Sequence, residues 1–370
     1  MRAISELYEE ALRKASDKGS LADITKQLDC LFNPPQHFPH PKAAEMISSA
    51  GKTNNQQKIS KDVLAVLQAL NDNRDHPAFI LIAPAFMGQF SDDVHPGMVR
   101  NAFKELGFSG LLEVAVFADI LTLREALEFE HNIHTNKDFM LTSCCCPMWL
   151  AMIKKMYSDL VPHMPPSVSP MIAAGRVVKK FQPESLTVFV GPCVAKKAEA
   201  REKDIVGAVD YVLTFQETQE MFDSLGVNLL AQKDTIKELS SEAGRIYART
   251  GGVSAAVQAT LKTLNPHHDI ELTAQQADGI PACRQMIDDL LTGKSTANFF
   301  EGMGCVGGCV GGPKSLLKKD TARDLVNTYG KKALYKTPLD NPYVLKLLYR
   351  LGFESLESLL EDKNLFVRSI

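Results

Sequence analysis

From Gly302 to Lys314 the chain reads Gly302-Met303-Gly304-Cys305-Val306-Gly307-Gly308-Cys309-Val310-Gly311-Gly312-Pro313-Lys314. Glycine lets a backbone pass close to a bulky group and take up positive φ without penalty. A thiolate is a soft ligand suited to iron–sulfur clusters. Two cysteines in so glycine-dense a stretch describe a cradle for an inorganic group rather than a packed core.

The chain has eight cysteines: Cys30, Cys144, Cys145, Cys146, Cys193, Cys283, Cys305 and Cys309. Three in a row suit a disulfide framework badly. Structural zinc needs paired CxxC spacings, and the only close pair outside the triplet is the CxxxC of Cys305 and Cys309. Gly302, Gly304 and Gly307 also fit GxGxxG. A dinucleotide turn, however, needs a good preceding strand, and Ala297-Asn298-Phe299-Phe300-Glu301 reads as a short, poor one. Cysteine has no part in a pyrophosphate turn.

Composition bounds the rest. The 370 residues are 45% apolar and 23% charged, with a net charge of -3, an ordinary globular profile. With no long basic run, neither nucleic acid nor an anionic membrane surface is expected as a partner. No apolar run approaches the roughly 20 residues that span a bilayer. Met1-Arg2-Ala3-Ile4-Ser5-Glu6 is unlike a secretory signal, so a cytoplasmic location is expected.

Residues 1–75 read as helical and polar, with Leu64, Leu67 and Leu70 as a stripe and the proline-rich 33–41 as a loop. Strands are expected at 78–83, 112–117, 139–141, 186–190 and 209–214. Helices are expected at 96–106, 122–132 and 149–157, from Gly252, near Lys314, and from Asn341 with Leu345, Leu348 and Leu351 inward. Strands alternating with helices predict an α/β fold with mixed sheets. The cysteines fall where apolar runs end, the usual position for ligands in such sheets.

Three segments now stand together: Thr142-Ser143-Cys144-Cys145-Cys146-Pro147-Met148-Trp149, Gly191-Pro192-Cys193-Val194-Ala195-Lys196-Lys197, and Glu301 to Pro313. In content and order they resemble the three signatures of the FeFe hydrogenases, over roughly residues 76 to 350. The triplet and Met148 resemble a less-studied subgroup. The resemblance implies a two-lobed catalytic domain at 76–316, with an N-terminal extension at 1–75 and a C-terminal helical segment at 317–370. Between the lobes it implies an H-cluster: a 4Fe-4S cubane joined to a two-iron unit carrying CO, cyanide and a bridging dithiolate amine. The implied activity is the interconversion of H2 with protons and electrons.

By motif position, Cys146, Cys193, Cys305 and Cys309 would hold the cubane, with Cys309 bridging to the two irons. The family pattern has two cysteines before the proline and this chain has three. Anchoring on Pro147 makes Cys146 the ligand and Cys145 the proton-transfer thiol; anchoring on Thr142-Ser143 moves both roles back one residue, to Cys145 and Cys144. The proline anchor is preferred because the helix after it fixes the ligand. Apart from its motif, Cys145 reads as a small buried hydrophobe.

Lys196 and Lys197 fall at the start of an expected helix, where a cation opposes the dipole and calls for an anion. The resemblance supplies a cyanide beside Lys196, while Lys197 reads as a solvated surface residue. Met303 corresponds to a methionine near the bridging ligand, and Ala83-Pro84-Ala85 stands where the family reads Ala-Pro-Ser. Glu125 and Glu128 correspond to the carboxylates of the family's proton path, although a charged i, i+3 pair more often marks a solvated face. Asp119 lies upstream of them. The serine that would join the glutamates falls at Pro165, which has no hydroxyl, so an ordered water, Ser167 or another route is needed. Ser169-Pro170-Met171 and Gly191 also depart from the pattern.

Only Cys30 stands within residues 1–75, so an external carrier such as ferredoxin is expected to dock near the cubane, and Cys30 and Cys283 are expected to be structural. Dedicated maturation proteins are implied as further partners. Two other readings stay open: an H2-sensing module, and a non-catalytic iron–sulfur assembly protein of the hydrogenase-like kind.

Overall fold

The computed structural model describes residues 2–16, 29–36, 38–49, 59–142, 145–235, 239–267 and 269–369. Ser143 and Cys144 lie outside the described residues, and with them the alternative assignment to Cys144.

Among the described residues seven strands make two sheets. They are β1 (Ala78–Ile82), β2 (Gly110–Glu113), β3 (Met140–Thr142), β4 (Leu186–Gly191), β5 (Tyr211–Thr214), β6 (Ala274–Asp278) and β7 (Phe299–Met303). The first sheet has the order β2-β1-β4-β5 and the second β3-β7-β6. Every pairing is parallel, where mixed sheets were expected. The cause is local: helices stand between successive strands, and a crossover helix returns the chain in the same direction. The fold is α/β, parallel sheets flanked by helices.

Parallel strands covered on both faces should be apolar throughout. Strand β1, Ala78-Phe79-Ile80-Leu81-Ile82, and strand β4 are buried at every position. Strand β6 breaks this rule. It reads Ala274-Gln275-Gln276-Ala277-Asp278, lies at the edge of its sheet and is only partly buried. No strand was expected there, because an edge strand needs no continuous apolar run.

Helix Ala115–Asn132 is the second departure. Leu112 to Phe117 was read as strand, but the strand ends at Glu113 and the helix begins at Ala115. Every residue from Ala115 to Phe129 is buried. A helix buried on all sides has no polar stripe, so a short apolar run within it looks like a strand. The helix expected near Lys314 is instead a turn of 3-10 helix at Gly308–Gly311, followed by helix Lys319–Lys331.

The two ends of the chain meet. Helix Ile4–Ser16 packs along helix Pro342–Leu351, and Ile4 N donates to Glu354 O at 2.9 Å. Leu345, Leu348 and Leu351 face inward as the spacing predicts. Helix Lys61–Asp72 buries Val63, Val66, Leu67 and Leu70.

Candidate active site

The carboxyl ends of four strands supply the site. Strand β3 leads through Thr142 to Cys145 and Cys146, β4 to Cys193, and β7 to Cys305 and Cys309, while β1 ends at Ala83 and Pro84. Strands from both sheets therefore aim their outgoing loops at one place, the position where open parallel sheets bind ligands.

Each loop is held by ordinary forces. Cys146 is the residue before helix Pro147–Met156, and Leu150 N donates to its carbonyl at 3.0 Å. Trp149, fully buried, donates from Nε1 to Thr142 O at 2.8 Å and ties the helix after Cys146 to the end of β3. Gly302 lies flat on that indole; a Cβ there would sit 2.2 Å from Trp149 Cε3. The GxGxxG match thus begins inside a strand, packed on tryptophan, which removes the pyrophosphate reading. Gly307 and Gly308 both take positive φ, at 89° and 82°, and turn the chain between the two loop cysteines.

Cys146, Cys193 and Cys305 all act electrostatically on Cys309, and Cys146 and Cys193 act on Cys305, so the four stand within electrostatic reach of one another. Burial pushes the Cys305 thiol up to about 11, with Cys193 and Cys146 adding to it, and pushes Cys309 and Cys193 upward as well. Gly304 N donates to Cys146 Sγ at 3.2 Å. The backbone N–H groups of Lys196 and Ala195 favour the Cys193 thiolate. Four soft donors brought together, three of them with thiols that burial holds from ionising, fit a polynuclear cationic centre, whose charge would stabilise thiolates there. Among the described residues no three His, Cys, Asp or Glu side chains could hold a single metal ion.

An apolar cavity opens beside these thiols. Cys145, Cys193, Cys309, Lys196, Ala83 and Pro84 line it, together with Ala85, Met171, Phe189 and Tyr247. Cys145 is half-buried, and burial with the Cys309 thiol beside it pushes its pKa well up. Met303 is not among the lining residues. It is buried in the hydrophobic cluster against which Cys145 and Cys146 pack.

Lys196 is buried and lines the cavity. Its Nζ donates to Cys145 O at 2.9 Å and to Glu199 Oε2 at 2.6 Å. Burial works against its charge, but Glu199 and the nearby thiols outweigh that and raise its pKa. The anion sought in a bound cyanide is present in the protein: Glu199, one turn along the same helix. Lys197 is not a solvated lysine either, since it joins Asp62 and Glu217 with its side chain only 20% exposed.

Glu125 and Glu128 are both buried, which overturns the solvated-face reading. Thr142, the last residue of β3, donates its hydroxyl to Glu125. Burial pushes the Glu125 carboxyl up to about 8; Glu128 and Glu301 add to this and the Thr142 hydroxyl opposes it. Burial likewise pushes Glu128 up to about 7, against the pull of Arg124, whose Nε stands 3.0 Å from Glu128 Oε1. Glu128 thus acts electrostatically on Glu125, and Glu125 on Cys145, which lines the cavity. Asp119 stands apart from this row. It accepts from Ser241 N at 2.7 Å and caps the short helix Glu242–Arg245. Ser167 bridges to Val367 and does not line the cavity at Glu128, whereas Pro165 does.

Sequence reasoning missed Glu301 and Tyr247. Glu301, fully buried in β7, accepts from Gly251 N, Ser254 N and Ser254 Oγ, each at 2.8 Å, and so closes the start of helix Gly252–Leu264. Its partners lie about fifty positions away, and no local spacing announces them. Tyr247 carries no motif. Cys283 is structural, as expected, buried with its thiol toward Ala277 O and Met303 O. Cys30 packs beside Gly110.

A family profile described as iron only hydrogenase large subunit, C-terminal domain, matches residues 76–313. The chain belongs to that family. It is 26% identical over 310 residues to iron hydrogenase 1 of Clostridium pasteurianum, covering 69% of this chain and 54% of that protein. It is also 26% identical to the periplasmic Fe hydrogenase large subunit of Nitratidesulfovibrio vulgaris, covering 59% of this chain and 62% of that protein. A cytosolic Fe-S cluster assembly factor of Kluyveromyces lactis is 28% identical, covering 34% of this chain and 29% of that one. The chain thus spans between half and two thirds of the hydrogenases' length. Among solved structures, the FeFe-hydrogenase HydA1 of Chlamydomonas reinhardtii superposes with a TM-score of 0.63 at 20% identity, covering 82% of this chain and 97% of that one. That likeness shows the fold. Among the described residues no helix is long and apolar enough to cross a membrane.

Proposed function

We infer that the chain is a hydrogenase, interconverting H2 with protons and electrons. The observation that carries this reading is one apolar cavity lined by Cys145, Cys193 and Cys309, with the buried Glu125 acting electrostatically on Cys145 and the buried Glu128 on Glu125. Cys146, Cys193, Cys305 and Cys309 would hold a 4Fe-4S cubane, with Cys309 shared with a two-iron unit carrying CO, cyanide and a dithiolate amine. That group, when bound, supplies the redox chemistry.

The chain's own residues do the rest. Cys145 at the cavity wall is placed to give and take a proton; Glu125, pushed up to about 8 by burial, is mostly protonated at neutral pH, and Glu128, at about 7 beside Arg124, gains and loses its proton there. Lys196, locked by Glu199, presents a fixed positive charge to an anionic ligand on the cavity side. Ala83, Pro84, Ala85 and Phe189 keep the pocket dry, and Met303 backs the loop that carries Cys305. Electrons would come from ferredoxin or a similar one-electron carrier, and maturation proteins would deliver the two-iron unit.

The assembly-factor relatives favour a second reading, a non-catalytic iron–sulfur protein. Infrared spectra after maturation, together with H2 turnover driven by a reduced viologen, separate the two. Bands from CO and cyanide with turnover are expected. Their absence from fully iron-loaded protein would leave the assembly reading, and bands with turnover at background would favour a sensor.

A further inference from the structure

On the side of Glu128 away from Glu125, a second cavity of about 290 Å³ opens to solvent. Glu128, Asn132, Met140, Pro165 and His163 are among its lining residues. Glu128 is only 6% exposed, yet its Oε2 has no hydrogen-bond partner. An unpartnered buried carboxyl oxygen costs free energy unless water or a ligand reaches it. This cavity is polar and holds room for several waters. At its mouth stands His163, exposed, its ring stacked on Phe139 with centroids 4.0 Å apart and planes at 16°. Nδ1 lies 3.3 Å from Phe139 O, which fixes the imidazole and leaves Nε2 as its other proton site.

We propose that His163 loads protons from solvent and exchanges them through water in this cavity with Glu128. The inference rests on the hydrogenase reading and adds the solvent end of its proton supply, on the cavity that Glu128 and His163 both line. The step is a proton transfer only. Imidazolium gives its proton to a cavity water, that water gives one to Glu128, and Glu128 passes its own inward toward Glu125. Imidazole is the ordinary side chain that gains and loses a proton near neutrality. The other charged groups here are accounted for: Arg124 pairs with Glu128, Asp138 is held by the backbone N–H groups of His134 and Thr135, and Lys137 lines the rim.

The test is His163→Gln in the full matured chain, with His131→Gln as a control on an exposed histidine outside the cavity. The H163Q variant is expected to keep its CO and cyanide bands, lose about tenfold in turnover, show a larger solvent deuterium isotope effect, and recover when imidazole is added. A second readout needs no turnover. Infrared difference spectra against Glu128→Gln identify the Glu128 carboxyl band, whose exchange in D2O should slow in H163Q. Unchanged turnover, isotope effect and exchange in H163Q, or an equal loss in H131Q, would overturn the proposal. Missing CO and cyanide bands in the unaltered protein would instead overturn the hydrogenase reading, and the carboxyl exchange would still report on the port.

Discussion

The sulfur side and the carboxylate side of the cavity are built by opposite means. Cys146, Cys193, Cys305 and Cys309 stand on loops at strand ends, placed by backbone turns, a buried tryptophan and glycines. Glu125 and Glu128 stand inside a helix buried on nearly every side. Burial holds the Cys193, Cys305 and Cys309 thiols from ionising, which a bound cationic group would offset; on the other side burial raises both carboxyls toward or above neutrality with no bound group. On the proposed function one side would be completed by a cofactor, whereas the other is complete when the chain folds. Substitutions on the two sides should therefore fail in different ways.

The largest effect is expected on the sulfur side. Cys309→Ser replaces a soft donor with a hard one at the thiol that borders both the other cysteines and the cavity. Iron–sulfur absorbance in the visible and all H2 turnover should be lost, while thermal unfolding of the metal-free chain changes little. Cys283→Ser is the control, since its thiol faces backbone carbonyls, and it should keep the absorbance. Equal loss in both variants would break the distinction drawn here.

The carboxylate side should lose rate without losing iron. Glu125→Gln keeps the size of the side chain and an acceptor for Thr142, but cannot carry a proton. Turnover should fall about 10²–10⁴-fold with the visible absorbance intact. Stability supplies a second check. The Glu125 carboxyl, near 4.5 when unfolded and about 8 when folded, binds its proton more tightly in the folded chain. The folded state then holds the extra proton between those values, so its stability falls as pH rises through that window and levels off above it. In urea melts the variant should come close to the parent near about pH 5 and exceed it by roughly 3–5 kcal/mol above about pH 8. A parent that gains stability across this interval relative to the variant would refute the burial account of the carboxylate row.

Why the two sides differed in legibility follows from the same contrast. Thiolate chemistry belongs to a residue type, so Cys305 and Cys309 among glycines could be read directly, and the ends of apolar runs located Cys193 and Cys146. The helix bearing Glu125 and Glu128 hid its first residues, because burial on every side erased the polar stripe that marks a helix. Strand β6 hid for the reverse reason, being a polar edge. The pairing of Lys196 with Glu199 was within reach, since the two are three residues apart on one short helix. The roles of Glu301 and Asp119 were not, because each closes a helix from a distant part of the chain.

A smaller effect tests the packing behind the cysteines. Gly302→Ala would drive a methyl group into the ring of Trp149, at 2.2 Å from Cε3. The indole cannot retreat easily, being fully buried and tied to Thr142 O. Overpacking of this kind costs about 1–3 kcal/mol. Because Trp149 is the only tryptophan, its fluorescence reports the shift directly in the same urea melt. An unchanged midpoint and emission would mean that the glycine is not required by this contact.

The smallest expected effect concerns Lys197, neighbour of the buried Lys196. It reaches Asp62 and, at 2.6 Å, Glu217 Oε1. Asp62 lies in the first turn of helix Lys61–Asp72 and Glu217 in the first turn of helix Phe215–Leu225. Both carboxylates already gain from the positive end of a helix, and Glu217 also accepts from Thr214 N at 2.7 Å. Lys197→Met therefore leaves neither acid stranded, and with water close by the pair of bridges is worth only about 0.2–1 kcal/mol. The cost should shrink further in about 1 M salt, where the screening length is about 3 Å. A loss of several kcal/mol insensitive to salt would show that Lys197 is held as Lys196 is, by a buried ion pair, and would remove the distinction between these two adjacent lysines.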